Sequence, residues 1–146
     1  MKLRIEPFDR LTAGELFAVL RLRQAVFYLE QRVDCEELDA LDPRAVHLWC
    51  AADDGPTVAC LRILPPGVRY DEASVGRVAV AAAWRRRGVA RGMMRAAPEY
   101  IDRTWSASVR ISSQEYVVPF YESLGFEVVS DTYAEAGIPH RSMLRR

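Results

Sequence analysis

Val78-Ala79-Val80-Ala81-Ala82-Ala83-Trp84-Arg85-Arg86-Arg87-Gly88-Val89-Ala90-Arg91-Gly92 is the stretch on which the fold turns. Ser74 to Ala81 alternates as a strand does. A short connector ends in three arginines, and a helix is predicted from about Gly88 to Arg103. Gly88, Ala90 and Gly92 keep the helix start free of bulk, so an oxyanion can reach the backbone. The unpaired N–H groups and the dipole of a helix N-terminus favour negative charge. Arginine adds charge-assisted hydrogen bonds. The stretch is physically a diphosphate cradle, with a solvated arginine cluster as the plainer alternative. It lacks the Gly-Lys-Ser/Thr ending of a P-loop. Its glycines also have the wrong spacing for a dinucleotide-binding turn.

The elements on either side complete a pattern. Lys2 to Phe8 reads as a strand, and Thr12 with Glu15 forms a capping box for a helix. Leu16, Val19, Leu20, Arg23, Val26 and Phe27 recur at that helix's spacing. Asp34 to Pro43 is acidic and irregular, a loop or a short helix. Val46 to Ala52 and Thr57 to Leu64 are strands joined by the turn Asp54-Gly55-Pro56. Pro98 predicts a kink or an early end in the central helix. Ala107 to Ser113 is a strand, and Pro119 to Leu124 is a short helix stopped by Gly125. Phe126 to Tyr133 and Ile138 to Leu144 form a final strand pair. Hairpins followed by a strand–helix–strand unit give an α/β fold on a mixed sheet, in a single domain spanning residues 1–146.

The chain is half hydrophobic and carries 20 basic and 20 acidic residues, so bulk charge points away from nucleic acid and membranes. Lys2 is the only lysine. Cys35, Cys50 and Cys60 have neither disulfide nor zinc spacing, and no metal site is expected. No apolar run is long enough for a membrane span, and no secretory leader is visible, which gives a cytoplasmic location as the expectation.

Arg85, Gly88 and Ala90 occupy the fixed positions of an R/Q-x-x-G-x-G/A motif, and Phe120 to Phe126 contains Tyr-x-x-x-Gly-Phe. In both respects the chain resembles the GNAT superfamily of N-acetyltransferases. The run Leu22 to Gln31, then Asp39, Asp42 and His47, and the segment Tyr133 to His140, resemble its ElaA-type branch. The resemblance implies a GNAT-like, mostly antiparallel central sheet flanked by helices, with acetyl-CoA as co-substrate. It places the pyrophosphate on the backbone of Arg86, Arg87, Gly88, Val89 and Ala90, beside Arg85. It places the pantetheine arm along Arg77, Val78, Ala79 and Val80, near the small residue Gly76.

Direct transfer to an amine then sets two proton tasks. Tyr121 matches the tyrosine that protonates the leaving thiolate; the alternative is that it only packs or hydrogen-bonds the sulfur. An ammonium of pKa near ~10.4 must lose a proton before attack. Glu30, His47, Glu115 and His140 are the candidate acceptors, with Glu30 and His140 foremost. Asp39 and Asp42 could attract a cationic amine, and Phe27, Tyr28 and Trp49 could line its pocket; a solvated loop and core packing are the alternatives. Arg23 lies on the apolar helix face and needs a partner, with Glu30, Asp39 or Asp42 as candidates. The competing reading is a non-catalytic acyl-CoA-binding regulatory module. The acceptor amine is not encoded in these motifs, and a homodimer stays open.

Overall fold

The computed structural model describes residues 1–146. Its frame is an eight-stranded sheet in the order β1-β2-β3-β4-β5-β8-β6, with β7 also paired to β8. The strands are β1 Lys2–Pro7, β2 Val46–Ala51, β3 Thr57–Leu64, β4 Ala73–Val80, β5 Val109–Gln114, β6 Glu127–Val128, β7 Tyr133–Glu135 and β8 Ile138–Arg145. Only β4 and β5 run parallel; every other pair is antiparallel. The helices are α1 Ala13–Arg23, α2 Val89–Trp105 and α3 Val118–Glu122. None is long and apolar enough to cross a membrane.

Strand alternation sorts the core onto two faces. Leu48, Leu61, Ile63, Val75, Val109, Ile111 and Met143 pack against Val89, Met93, Met94, Ala97 and Ile101 of α2. Trp49, Cys60 and Ala79 point the other way, against Val19 and Leu22 of α1. Val75 and Ala79 are four residues apart on β4, so a regular strand would put both on one face. They sit on opposite faces because β4 bulges. Cys60 pairs with Ala79 and Arg62 with Gly76, so two residues, Arg77 and Val78, oppose Leu61. Arg77 adopts a left-handed φ of 53° at this point.

The bulge lies on a part of β4 that has already separated from its neighbour. β4 meets β5 only at Ala73–Val109 and Ser74–Arg110. Beyond these pairs the two strands separate, and the rest of β4 has no partner on that side.

Three expectations are corrected. Of the kink or early end predicted at Pro98, the early end does not occur: the helix runs through to Trp105, with Pro98 buried alongside Met94, Ala97 and Ile101, which pack against the sheet. That packing outweighs one missing backbone bond. The first helix is α-helical only to Arg23 and widens to a π-helix over Gln24–Glu30. Its wider closure shows in the bond from the Gln31 N–H to the Val26 carbonyl, 3.1 Å. The strand predicted at Phe126 to Tyr133 exists only as β6, and β7 begins at Tyr133. The capping box is present, with Thr12 and Glu15 bonded reciprocally at 3.1 and 2.9 Å.

β7 and β8 are joined by the two-residue turn Ala136-Gly137, with φ of 51° and 75°. These values suit a hairpin of the twist-matched kind. A Cβ on Gly137 would meet nothing within 4 Å, so only its left-handed backbone disfavours a side chain. Gly137→Ala is therefore expected to destabilise the fold by about 1 kcal/mol, measured by urea denaturation.

Candidate acyl-transfer site

Where β4 and β5 part, a cleft of about 1370 Å³ opens. Arg77, Val78 and Val80 line it from β4, Ser112, Ser113 and Gln114 from β5. The π-helix contributes Glu30 at one end of this wall, and α3 contributes Tyr121. Seven residues of π-helix are unusual, and such turns are frequent at functional sites.

Arg86 and Gly88 take left-handed φ values of 63° and 77°, just before α2. No side chain caps the helix. None of the backbone N–H groups from Arg86 through Arg91 donates to a backbone acceptor. A run of free N–H groups at a turn with alternating handedness is a concavity for anions. Ala90 lines the cleft directly. Val89 and Ala79 send their side chains into the core, which leaves only their backbone for a ligand. Arg87 stacks on Trp84, its guanidinium 5.0 Å from the ring centre.

Arg85 turns back from the cradle. Its Nε donates to the Val80 carbonyl at 2.9 Å, and its terminal nitrogens clasp Glu30 at 2.5 and 2.8 Å. The Arg85 hydrogen bond holds the Glu30 carboxyl below its ordinary range. That makes Glu30 a weaker proton acceptor than its sequence position suggests.

The Tyr121 ring makes edge contacts with Phe120 and Phe126, at 5.2 and 5.8 Å between centres. Burial pushes its phenol up to about 12. The hydroxyl therefore stays protonated at neutral pH.

His140 is buried at the cleft wall. Its Nδ1 donates to the Ile138 carbonyl at 2.7 Å, because a carbonyl can only accept. In the neutral ring the lone pair is then on Nε2, which lies 3.4 Å from Glu135. The hairpin register sets Tyr133 opposite His140, and their rings stack 6.2 Å apart. Ser112 donates to Glu135 at 3.1 Å and shares a 2.5 Å hydrogen bond with the Tyr133 hydroxyl.

The other expected bases lie elsewhere. His47 is fully buried in β2, its Nε2 bonded to the Asp42 carbonyl at 3.1 Å, and burial lowers its proton affinity. Glu115 binds Thr132 and Arg141 outside the cleft. Trp49 belongs to the core under α1, whereas Phe27 and Tyr28 do line the cleft.

Asp39 and Asp42 are not free to attract an amine. Arg23, almost fully buried, binds Asp42 at 2.8 Å and Glu37 at 3.1 Å. Arg62 binds Asp39 at 2.6 Å and Asp42 at 3.0 Å. Arg77 binds Glu37 at 3.0 Å and Asp39 at 3.3 Å. Three cations and three anions thus knit the irregular segment after the π-helix to β3 and β4. Burial alone would raise the Asp42 and Asp39 carboxyls; the arginine hydrogen bonds and charges outweigh it and hold both below the ordinary value.

With this geometry in place, a model of the acetyltransferase (GNAT) domain matches residues 22–146. The chain belongs to the GNAT acetyltransferase family. It is 37% identical over 138 residues to a UPF0039 protein of Schizosaccharomyces pombe, covering 93% of this chain and 91% of that one. It is 33% identical over 142 residues to protein ElaA of Escherichia coli, covering 94% and 91%. The crystal structure of ElaA aligns over 99% of each chain with a TM-score of 0.92 at 30% identity. That of an acyl-CoA N-acyltransferase from Pseudomonas aeruginosa aligns over 99% of each chain with a TM-score of 0.94 at 33% identity. GNAT membership makes this an acyl-transfer enzyme, and the GNAT fold is one that binds acyl-CoA.

Two carboxylates of this GNAT site escape a reading of the sequence. Glu37 lies in a segment with no periodicity to place it. Glu135 was readable in principle, since Tyr133 and Glu135 share a strand face just before an Ala-Gly hairpin turn.

Because the folded-state pKa values of Asp39 and Asp42 lie below their unfolded values, both contribute stability above about pH 4. That contribution fades as the pH falls through the folded values. Asp42→Ala leaves Arg23 and Arg62 short of a buried partner and should cost about 3–5 kcal/mol at neutral pH. Urea titrations across pH should show the variant losing less further stability in acid than the wild type.

Proposed function

We propose that this chain moves an acetyl group from acetyl-CoA directly to an amine of a small molecule or peptide. The observation that carries the reading is the run of free N–H groups from Arg86 to Arg91 at the mouth of the β4–β5 cleft. These groups would take the pyrophosphate, assisted by Arg86 and Arg87. The unpaired edge of β4 from Arg77 to Val80 would pair with the pantetheine amides as an added strand. Similarity to a protein named for acyl-CoA N-acyl transfer supports the same donor class.

The cleft supplies a group for each proton. His140 Nε2 takes one from the acceptor's ammonium, leaving a neutral nitrogen that bonds to the acetyl carbon. As the carbon–sulfur bond breaks, Tyr121 donates to the sulfur. The nitrogen's surplus proton goes to the sulfur, while the Tyr121 hydroxyl keeps its own and donates a hydrogen bond there. The net products are the amide, the CoA thiol and one proton on His140. A phenol near 12 is a weaker acid than a thiol near ~8.5. Its contribution therefore comes from a hydrogen bond that strengthens as charge builds on sulfur. Glu30 holds the π-helix to the cradle through Arg85, and holding donor and acceptor together supplies much of the rate.

Two measurements test this. Tyr121→Phe should lower kcat about 100-fold in a CoA-release assay and leave acetyl-CoA affinity by calorimetry unchanged. Gly88→Val forces a branched residue into a left-handed turn; it should still melt cooperatively but lose at least half of the thermal shift given by millimolar acetyl-CoA. No wild-type thermal shift would remove the donor assignment.

A further inference from the structure

Phe17, Tyr28, Leu38 and Tyr116 are each more than half exposed, and all four line the cleft. Large apolar side chains left exposed along one cleft mark a binding surface. The charge around them is balanced. Five carboxylates and five guanidiniums line the cleft. Glu37 and Asp39 are neutralised by Arg23, Arg62 and Arg77, and Glu30 by Arg85. Glu36 and Arg21 have no side-chain partner and are opposite in sign, so neither sign prevails there. A polycation entering the cleft would find no net attractive field.

Glu135 differs from the rest. Its only guanidinium contact is Arg69 at 3.5 Å, and both side chains are partly exposed. Ser112 fixes one of its oxygens at 3.1 Å, and the other faces His140 Nε2 at 3.4 Å. The ionisable groups around this imidazole are Glu135 and Tyr133 from β7, with Arg69 behind Glu135 and the Glu115–Arg141 pair beyond. An ammonium seated on Glu135 would thus lie next to the one nitrogen lone pair in the cleft placed to take its proton.

We propose that the acceptor is a primary amine bearing a single positive charge on an apolar body of aromatic size. Glu135 holds its ammonium, and the rim of Phe17, Tyr28, Leu38 and Tyr116 holds its body. This rests on the acetyl-transfer reading and narrows it to a substrate class.

The test uses the full chain with saturating acetyl-CoA and follows CoA release with phenylethylamine, ethylamine and spermidine. The kcat/KM for phenylethylamine should exceed that for either of the others by at least about 10-fold. Glu135→Gln should raise the phenylethylamine KM about 10-fold with little change in kcat and none in the acetyl-CoA KM. Leu38→Ser, at an exposed loop position that folding does not need, should raise the KM for phenylethylamine but not for ethylamine. Preference for spermidine, turnover of none of the amines, or an unmoved KM in both variants would overturn the proposal. Calorimetry with acetyl-CoA alone keeps the two levels apart: absence of binding there defeats the acetyl-transfer reading itself.

Discussion

One extra residue in β4 governs the layout of this molecule. The bulge at Arg77 and Val78 breaks the strand's alternation, so Val75 faces α2 while Ala79 faces α1. Bulges bend a strand and increase its twist. This one falls on the stretch of β4 that has already left β5 after Ser74, along the edge of the cleft between them. The bulge also aims the Arg77 guanidinium at the acidic segment on the α1 side. A single local departure therefore shapes one edge of the cleft and anchors the wall opposite it.

That wall is built from charge rather than from apolar packing. A buried arginine network is seldom the most stable solution at such a place. Its value here lies in geometry. Six groups with mutually satisfied hydrogen bonds fix a segment that has no ladder of its own, and they leave little net charge behind. In the cleft next to them, the carboxylate beside the His140 imidazole, Glu135, stands outside this network.

What the sequence reveals follows from how local the physics is. The cradle at Arg85 to Ala90 is legible because small residues, arginines and a helix start lie side by side in the chain. The capping box at Thr12 is legible for the same reason. His47 and His140 look alike as residues; only the fold puts one under Phe8 in the core and the other against Glu135. Arg23 announces that it needs a partner, and Asp42 fits that need, but Glu37 joins from a stretch without periodicity. Pro98 misleads because the core packing that carries α2 past it is made by residues distant in sequence.

The scarcity of lysine has a practical consequence. Lys2 lies on β1, three strands and about 14 Å of ladder from β4. An acyl-transfer enzyme thus keeps its one lysine side chain away from the cleft. Amine-directed coupling would likewise attach this protein to a surface or a dye by its outer strand, with the cleft left facing solution.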